Sequence, residues 1–236
     1  MINKPAGIVV NRAQSVKEET VQDWAEKKFA VRSSLPAQAG QFAEEVTDFY
    51  ARSGIVHRLD KETSGCLILA TNQESFLKLQ SAFKERAVKK TYIALAHGDI
   101  PESGEIRAPI GRIPGNTQRF GIVPDGKESV TRYKKIAIYE INTKKQVEKL
   151  SLVELYPESG RTHQIRVHLK YLGFPIVGDY LYAGRKTQRA DRRWCPRVFL
   201  HAKAIEFPHP VSGKNVSVEA PLPEELTSIL SSFNNT

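Results

Sequence analysis

The chain has 236 residues, 40% of them hydrophobic and 26% charged, enough apolar material to bury a core and too polar a balance for a membrane protein. No run approaches the roughly 20 apolar residues that a spanning helix needs, so the chain is expected to be soluble. Thirty-five Lys and Arg against 26 Asp and Glu give a net charge of +9, which favours a polyanionic partner, nucleic acid first, through the counterion release that drives phosphate binding.

Neither an internal repeat nor a low-complexity tract is present, which sets aside solenoids and disordered arrays. Ser15 and Glu18 have capping-box spacing, and Val21, Trp24, Ala25 and Phe29 follow at helical intervals, predicting a helix over 15–29. From Val31 to Gly54 the composition turns to Ser, Pro, Ala, Gly and scattered acids, and reads as a long surface connection. Cys66 to Ala70 is a short apolar run consistent with a buried strand, and Phe76, Leu79 and Phe83 place a helix between Gln73 and Ala87. Extended segments are predicted over Lys90 to His97, Ile106 to Ile110, Ser129 to Tyr139 and Val147 to Tyr156, separated by turn residues. Thr162 to Leu172 returns to helical spacing and stops at Gly173 and Pro175. Val198 to Phe207 reads as a strand, and Pro223 to Phe233 as a closing helix. Strands outnumber helices and mostly neighbour one another in sequence, so the expected fold is α+β, a mixed, largely antiparallel sheet with flanking helices. No Pro-, Gly- or Ser-rich linker divides the chain, and residues 1–236 read as one domain of catalytic size.

Two segments concentrate side chains able to do chemistry. His57-Arg58-Leu59-Asp60 sets an imidazole, a guanidinium and a carboxylate between Gly54 and Gly65, just before an apolar strand, where rigidly anchored loops commonly carry catalytic groups. On spacing alone the segment reads first as an exposed charged turn. Gly160 to His168 contributes Arg161, His163, Gln164, Arg166 and His168 at the start of a predicted helix, with Ile165, Val167 and Leu169 to anchor it. His163 and His168 lie five apart, which turns them away from each other on a helix, and no HExxH or paired-Cys set accompanies them, so no metal site is expected. Cys66 and Cys195 lack the density of a disulfide scaffold, and residues 1–5 have neither signal-peptide nor transit-peptide character, which points to the cytoplasm. The order His-Arg-Leu-Asp differs from the kinase loop order His-Arg-Asp, and no glycine-rich phosphate loop precedes it.

The stretch His57 to Gly65, HRLDKETSG, resembles the signature of the RluA-type pseudouridine synthases along its whole length. Asn3-Lys4-Pro5-Ala6-Gly7, Lys90-Thr91-Tyr92, Gly160 to His168, Gly173 to Asp179 and Leu200-His201-Ala202 follow in that family's order. The resemblance covers nearly the whole chain and implies a single pseudouridine synthase catalytic domain that isomerises uridine to pseudouridine in structured RNA. It places the catalytic aspartate at Asp60, the active-site tyrosine at Tyr92, and the arginine that pairs with the aspartate at Arg166. It makes Leu200 the apolar residue against the target base and Arg58 the residue that displaces the uridine from its stack, with His57 and Arg161 as further substrate-binding positions. Many relatives carry a small N-terminal RNA-binding domain, whereas this sequence opens almost at Asn-Lys-Pro. Target choice is therefore expected to rest on the catalytic domain, or on a segment outside the sequence in hand.

The chemistry asked of these residues is that of an intramolecular transfer. A carboxylate attacks either carbon 6 of the uracil or the anomeric carbon, an alternative these residues leave open, and an arginine keeps it ionised where burial would protonate it. Tyr92 offers a flat face and a phenol, and Leu200 an opposing wall. A stacked uridine has to be everted to reach Asp60. Arg185 to Arg197 carries six basic residues and one acid, and Arg185, Lys186, Arg189, Arg192 and Arg193, with Lys90, are expected along the RNA backbone. Lys84, Arg86 and Lys89 extend that set. The isomerisation is redox-neutral, so no cofactor is expected; the partner is structured RNA, ribosomal RNA in preference to transfer RNA, and the enzyme a monomer. The rival reading is a catalytically silent RNA-binding module or assembly factor on the same fold.

Overall fold

A computed structural model describes residues 1–29, 48–115, 119–142 and 147–233. In chain order the elements are β1 (Ile2–Lys4), α1 (Val21–Phe29), β2 (Ser64–Leu67), α2 (Gln73–Lys84), β3 (Lys89–His97), β4 (Ser103–Arg107), β5 (Ile110–Arg112), β6 (Phe120–Ile122), β7 (Val130–Asn142), β8 (Val147–Pro157), α3 (Gln164–Tyr171), α4 (Arg185–Asp191), β9 (Leu200–Pro208), β10 (Asn215–Glu219) and α5 (Glu224–Phe233). The chain divides into two units: Met1–Val88 with Ile205–Ala220, and Lys89–Ala204 with Pro221–Thr236. Most of the surface connection read from Val31 to Gly54 falls at 30–47, outside the described residues.

In the first unit β1 lies antiparallel to β2, with Ile2 opposite Leu67 and Lys4 opposite Gly65. Phe49, Val56, Ile68, Phe76, Leu79, Val88, Ile205 and Phe207 form its core. Helix α2 starts where the sequence predicts, its Asn72 side chain accepting the Ser75 N–H at the N-terminus. Helix α1 starts six residues later than its expected beginning at Ser15. The reciprocal cap belongs to Thr20 and Asp23, whose side chains bond each other's backbone N–H (2.8 and 3.1 Å), while Glu18 pairs instead with Lys61 (2.7 Å). The N–H groups of Val21 and Gln22 are taken by the carbonyls of Val9 and Val10, which fixes the entry of the helix at this point.

The second unit is built on antiparallel strands: β3 pairs with β8, β8 with β7, and β7 with β4. A bulge between Lys135 and Ala137 leaves Ile136 out of the β7–β8 register. Ala94, Leu95, Leu150, Val153, Leu155, Leu169, Ile176 and Phe199 are the centre of its core. β5 and β6 form a separate two-stranded ladder, Gly111 opposite Gly121. Helix α3 stops at the predicted glycine: Gly173, at φ +93°, donates to Lys170 O and Phe174 donates to Leu169 O, the paired bonds of a Schellman end. The α+β class with a largely antiparallel sheet is as expected; the three-residue β6, the helix α4 and β10 were not predicted. No helix among the described residues is long and apolar enough to cross a membrane.

Replacing Thr20 by Ala is expected to lower the unfolding free energy by about 1 kcal/mol in urea titration, with Ser15→Ala unchanged. The reverse order would return the cap to Ser15.

Candidate active site

The loop carrying Asp60 is held by its neighbours at both ends. Ile55, Val56 and Leu59 are buried, as are Thr63 and Ser64, so the polar residues between them are anchored at close intervals. Gly54 sits at φ +77°, and a Cβ there would come 2.0 Å from the Ala70 carbonyl oxygen, so only glycine lets the loop leave this edge. Thr63 N–H closes a turn on the Asp60 carbonyl (3.1 Å). Asp60 is half-buried and Arg58 exposed. His57 Nε2 accepts the Ile68 N–H (2.8 Å), which puts the ring proton on Nδ1, and the ring stacks on Phe83 at 4.8 Å. The imidazole expected at the substrate thus fastens the loop to the backbone beyond β2.

A second fastening comes from Lys4. Its side chain is 0% exposed, and its ammonium donates to the carbonyls of Pro5 (2.9 Å), Ile8 (2.9 Å) and Lys61 (3.2 Å). The Lys61 carbonyl also accepts the Gly7 N–H at 2.8 Å. The residue next to Asp60 is therefore tied by two donors to the Asn3–Gly7 turn. A buried cation is tolerable only when such dipoles replace its hydration.

In the second unit Tyr92 is half-buried on β3, opposite Leu155. Leu200 opens β9 and is buried, its carbonyl accepting from the buried guanidinium of Arg197 (3.3 Å), which also bonds Glu225 (2.8 Å). Arg166 lies on α3, 4% exposed, and grips Asp179 through two parallel bonds, Nε to Oδ2 (2.7 Å) and Nη2 to Oδ1 (2.8 Å). Asp179, 0% exposed, also accepts the N–H groups of Leu181 and Tyr182. The Tyr182 ring lies 5.1 Å from the Arg166 guanidinium carbon, and its phenol meets His163 Nδ1 (2.9 Å). Gln164, buried, takes the Arg161 N–H and the Ser159 hydroxyl, leaving Arg161 exposed beyond it. His168 faces the interior against Thr131 (2.9 Å) and the Ala108 carbonyl, and burial lowers its pKa.

The basic segment becomes helix α4 and the turn after it. Arg185, Lys186, Arg189 and Arg193 are exposed, whereas Arg192 is half-buried and its Nε donates to the Gly178 carbonyl (3.0 Å). Asp191 at the helix end is buried, accepting the Gly178 N–H (2.9 Å) and meeting His97 Nε2 (3.0 Å). Lys90, on β3, is half-buried: it donates to the Ser159 carbonyl (2.9 Å), and burial brings its pKa down to about 8.

The sequence model of the RNA pseudouridylate synthase family matches residues 1–171, a span that holds Asp60, Tyr92 and Arg166. The chain belongs to this family. An uncharacterized RNA pseudouridine synthase of Chloroflexus aurantiacus is 37% identical over 97% of this chain and 64% of its own length. The ribosomal large subunit pseudouridine synthase D of Pseudomonas aeruginosa is 36% identical over 98% of this chain and 68% of its own. The chain thus spans about two thirds of the length of these relatives. Among solved structures, human RNA pseudouridylate synthase domain containing 1 is similar at a TM-score of 0.61 and 29% identity, covering 82% of this chain and 85% of that one. Human RNA pseudouridylate synthase domain containing 4, at a TM-score of 0.65 and 22% identity over 98% of this chain and 88% of that one, shares the fold.

Lys4 and Asp179 hold residues of the candidate site and were not singled out from the sequence. Both stand in motifs quoted for the resemblance, Asn3 to Gly7 and Gly173 to Asp179, but nothing in linear spacing shows that one holds the residue after Asp60 and the other grips Arg166. Lys4→Met is expected to cost about 2 kcal/mol or more, because carbonyls that shared a charged donor are left buried; unchanged stability in urea would mean the clamp is not used. Lys90 supplies a pH test. Its folded pKa lies below the ordinary 10.5, so the cost of protonating it in the fold is full below about pH 8 and disappears as the pH rises toward the unfolded value. The stability of the wild type relative to Lys90→Met should therefore increase between about pH 8 and 10. A flat difference in denaturation series across that range would show that the ammonium is not desolvated.

Proposed function

We propose that this chain isomerises a specific uridine to pseudouridine in structured RNA, ribosomal RNA foremost, without a cofactor. The observation that carries the reading is the rigidly pinned Asp60 loop inside a sequence that belongs to the RNA pseudouridylate synthase family. The name of the Pseudomonas relative supports large-subunit ribosomal RNA as the substrate. In this reaction the bond between N1 and the anomeric carbon breaks, the uracil turns, and a bond forms between C5 and the same carbon. The C5 proton leaves and N1 gains one, so atoms and electrons balance with no oxidant or reductant.

Asp60 is the attacking or charge-stabilising carboxylate, directed at carbon 6 or at the anomeric carbon. Arg166 contributes a guanidinium of fixed orientation to the reaction; its grip on Asp179 supports that role by holding it in one pose. Tyr92 stacks with the base and its phenol takes part in proton transfer, while buried Leu200 limits the room in which the detached uracil turns. Exposed Arg58 fills the place of the everted nucleotide, and exposed Arg161 contacts the RNA strand. The exposed cations of α4 follow the phosphates, and their contribution is salt-dependent. We assign the whole chain to one catalytic unit of action, working in the cytoplasm.

Asp60→Asn should abolish pseudouridine formation in ribosomal RNA, read by chemical mapping, while the dissociation constant for the same RNA changes less than about threefold, since removing one negative charge does not weaken binding to an anion. If purified wild-type protein forms no pseudouridine in ribosomal or transfer RNA and Asp60→Asn binds identically, the chain is a silent RNA-binding module.

A further inference from the structure

Tyr180 combines three properties that no other tyrosine described here shows together. Its side chain stands in the open, 50% exposed, although both chain neighbours, Asp179 and Leu181, are buried. Two guanidinium carbons face its ring, that of Arg166 at 5.9 Å and that of Arg192 at 5.7 Å from the centroid. Its backbone cannot swing, because Asp179 Oδ1 accepts both the Leu181 N–H (3.0 Å) and the Tyr182 N–H (3.1 Å), closing a tight turn around residue 180. Arg192 is itself held, with Nε on the Gly178 carbonyl.

A single exposed aromatic is unremarkable on most surfaces. This one stands beside two held cations, keeps half of its surface open, and is followed in sequence by the exposed Arg185, Lys186, Arg189 and Arg193. Aromatic rings beside phosphate-binding cations are the means by which proteins hold single-stranded or everted RNA: the base stacks on the ring and the charges take the backbone. We propose that Tyr180 is a stacking platform for a nucleobase of the RNA substrate, with Arg166 and Arg192 fixing the plane of the ring. This rests on the reading of the chain as an RNA-modifying enzyme and names a contact which that reading does not contain. Stacking is sequence-tolerant, so Tyr180 contributes grip on the strand rather than choice of base.

The test uses full-length Asp60→Asn protein, which removes turnover, and fluorescein-labelled oligouridylate beside an abasic ribose-phosphate polymer of equal length. Tyr180→Ala should weaken binding to oligouridylate by roughly fivefold or more in fluorescence anisotropy. Affinity for the abasic polymer, the dependence on salt and the melting temperature should all stay unchanged. Tyr180→Phe should bind oligouridylate as the parent does. Undiminished oligouridylate binding by a folded Tyr180→Ala protein would overturn the proposal, and so would an equal loss on both polymers. If wild-type protein forms no pseudouridine while Tyr180→Ala loses affinity for oligouridylate and not for the abasic polymer, the enzymatic reading falls and the platform stands.

Discussion

The bidentate pair between Arg166 and Asp179 is the constraint on which the second unit's functional surface depends. Both groups lie almost wholly out of water, where an unmatched charge costs several kcal/mol, so each requires the other in a nearly fixed geometry. The carboxylate has further duties. Its Oδ1 receives Leu181 and Tyr182 N–H as well as Arg166, which joins helix α3 to the turn at 179–182 through one oxygen atom. Tyr180 and Tyr182 take their positions from that turn, and His163 takes its phenolic partner from Tyr182. One buried ion pair thus orients a cation, an exposed ring and a buried ring together.

The same device recurs at smaller scale. Helix α4 is strongly basic, and its one acid, Asp191, is buried at its C-terminal end against the Gly178 N–H and His97. Anchoring the helix through its acid keeps that carboxylate from neutralising the exposed cations of the segment. In the first unit the roles are exchanged: Lys4 is the buried charge, satisfied by backbone carbonyls, and the exposed residues of the loop it secures are Arg58 and Lys61. In each case a charge removed from solvent is matched on several sides, and the segment it holds presents its remaining charges outward. Preorganisation of this kind is what a site needs if its dipoles are to stabilise developing charge without rearranging.

Several expectations from the sequence met competing interactions. Ser15-Glu18 and Thr20-Asp23 have the same spacing, and the choice between them was made by Val9 and Val10, whose carbonyls receive the N–H groups of Val21 and Gln22. His57 and Lys90 have the residue types of substrate-binding groups, yet one accepts a backbone N–H and the other donates to a backbone carbonyl. Helix α4 escaped notice because Arg185 to Asp191 has almost no apolar residue to mark a helical period. Strands β3 and β8 were legible for the opposite reason, since their apolar runs are long and bounded by turns.

The sequence by itself determined the α+β class, the start of α2 through the spacing of Phe76, Leu79 and Phe83, the end of α3 through Gly173, the basic character of the surface, and the residue types in the two segments around Asp60 and Arg166. These follow from local rules, because periodicity, caps and charge are properties of near neighbours along the chain. Only the tertiary structure decided which charges are buried and what they hold. Lys4 reaches a carbonyl 57 residues away, and Arg166 a carboxylate 13 residues on. Desolvation depends on everything that packs around a group, so no stretch of sequence read alone distinguishes a buried, matched Lys4 from an exposed lysine such as Lys61.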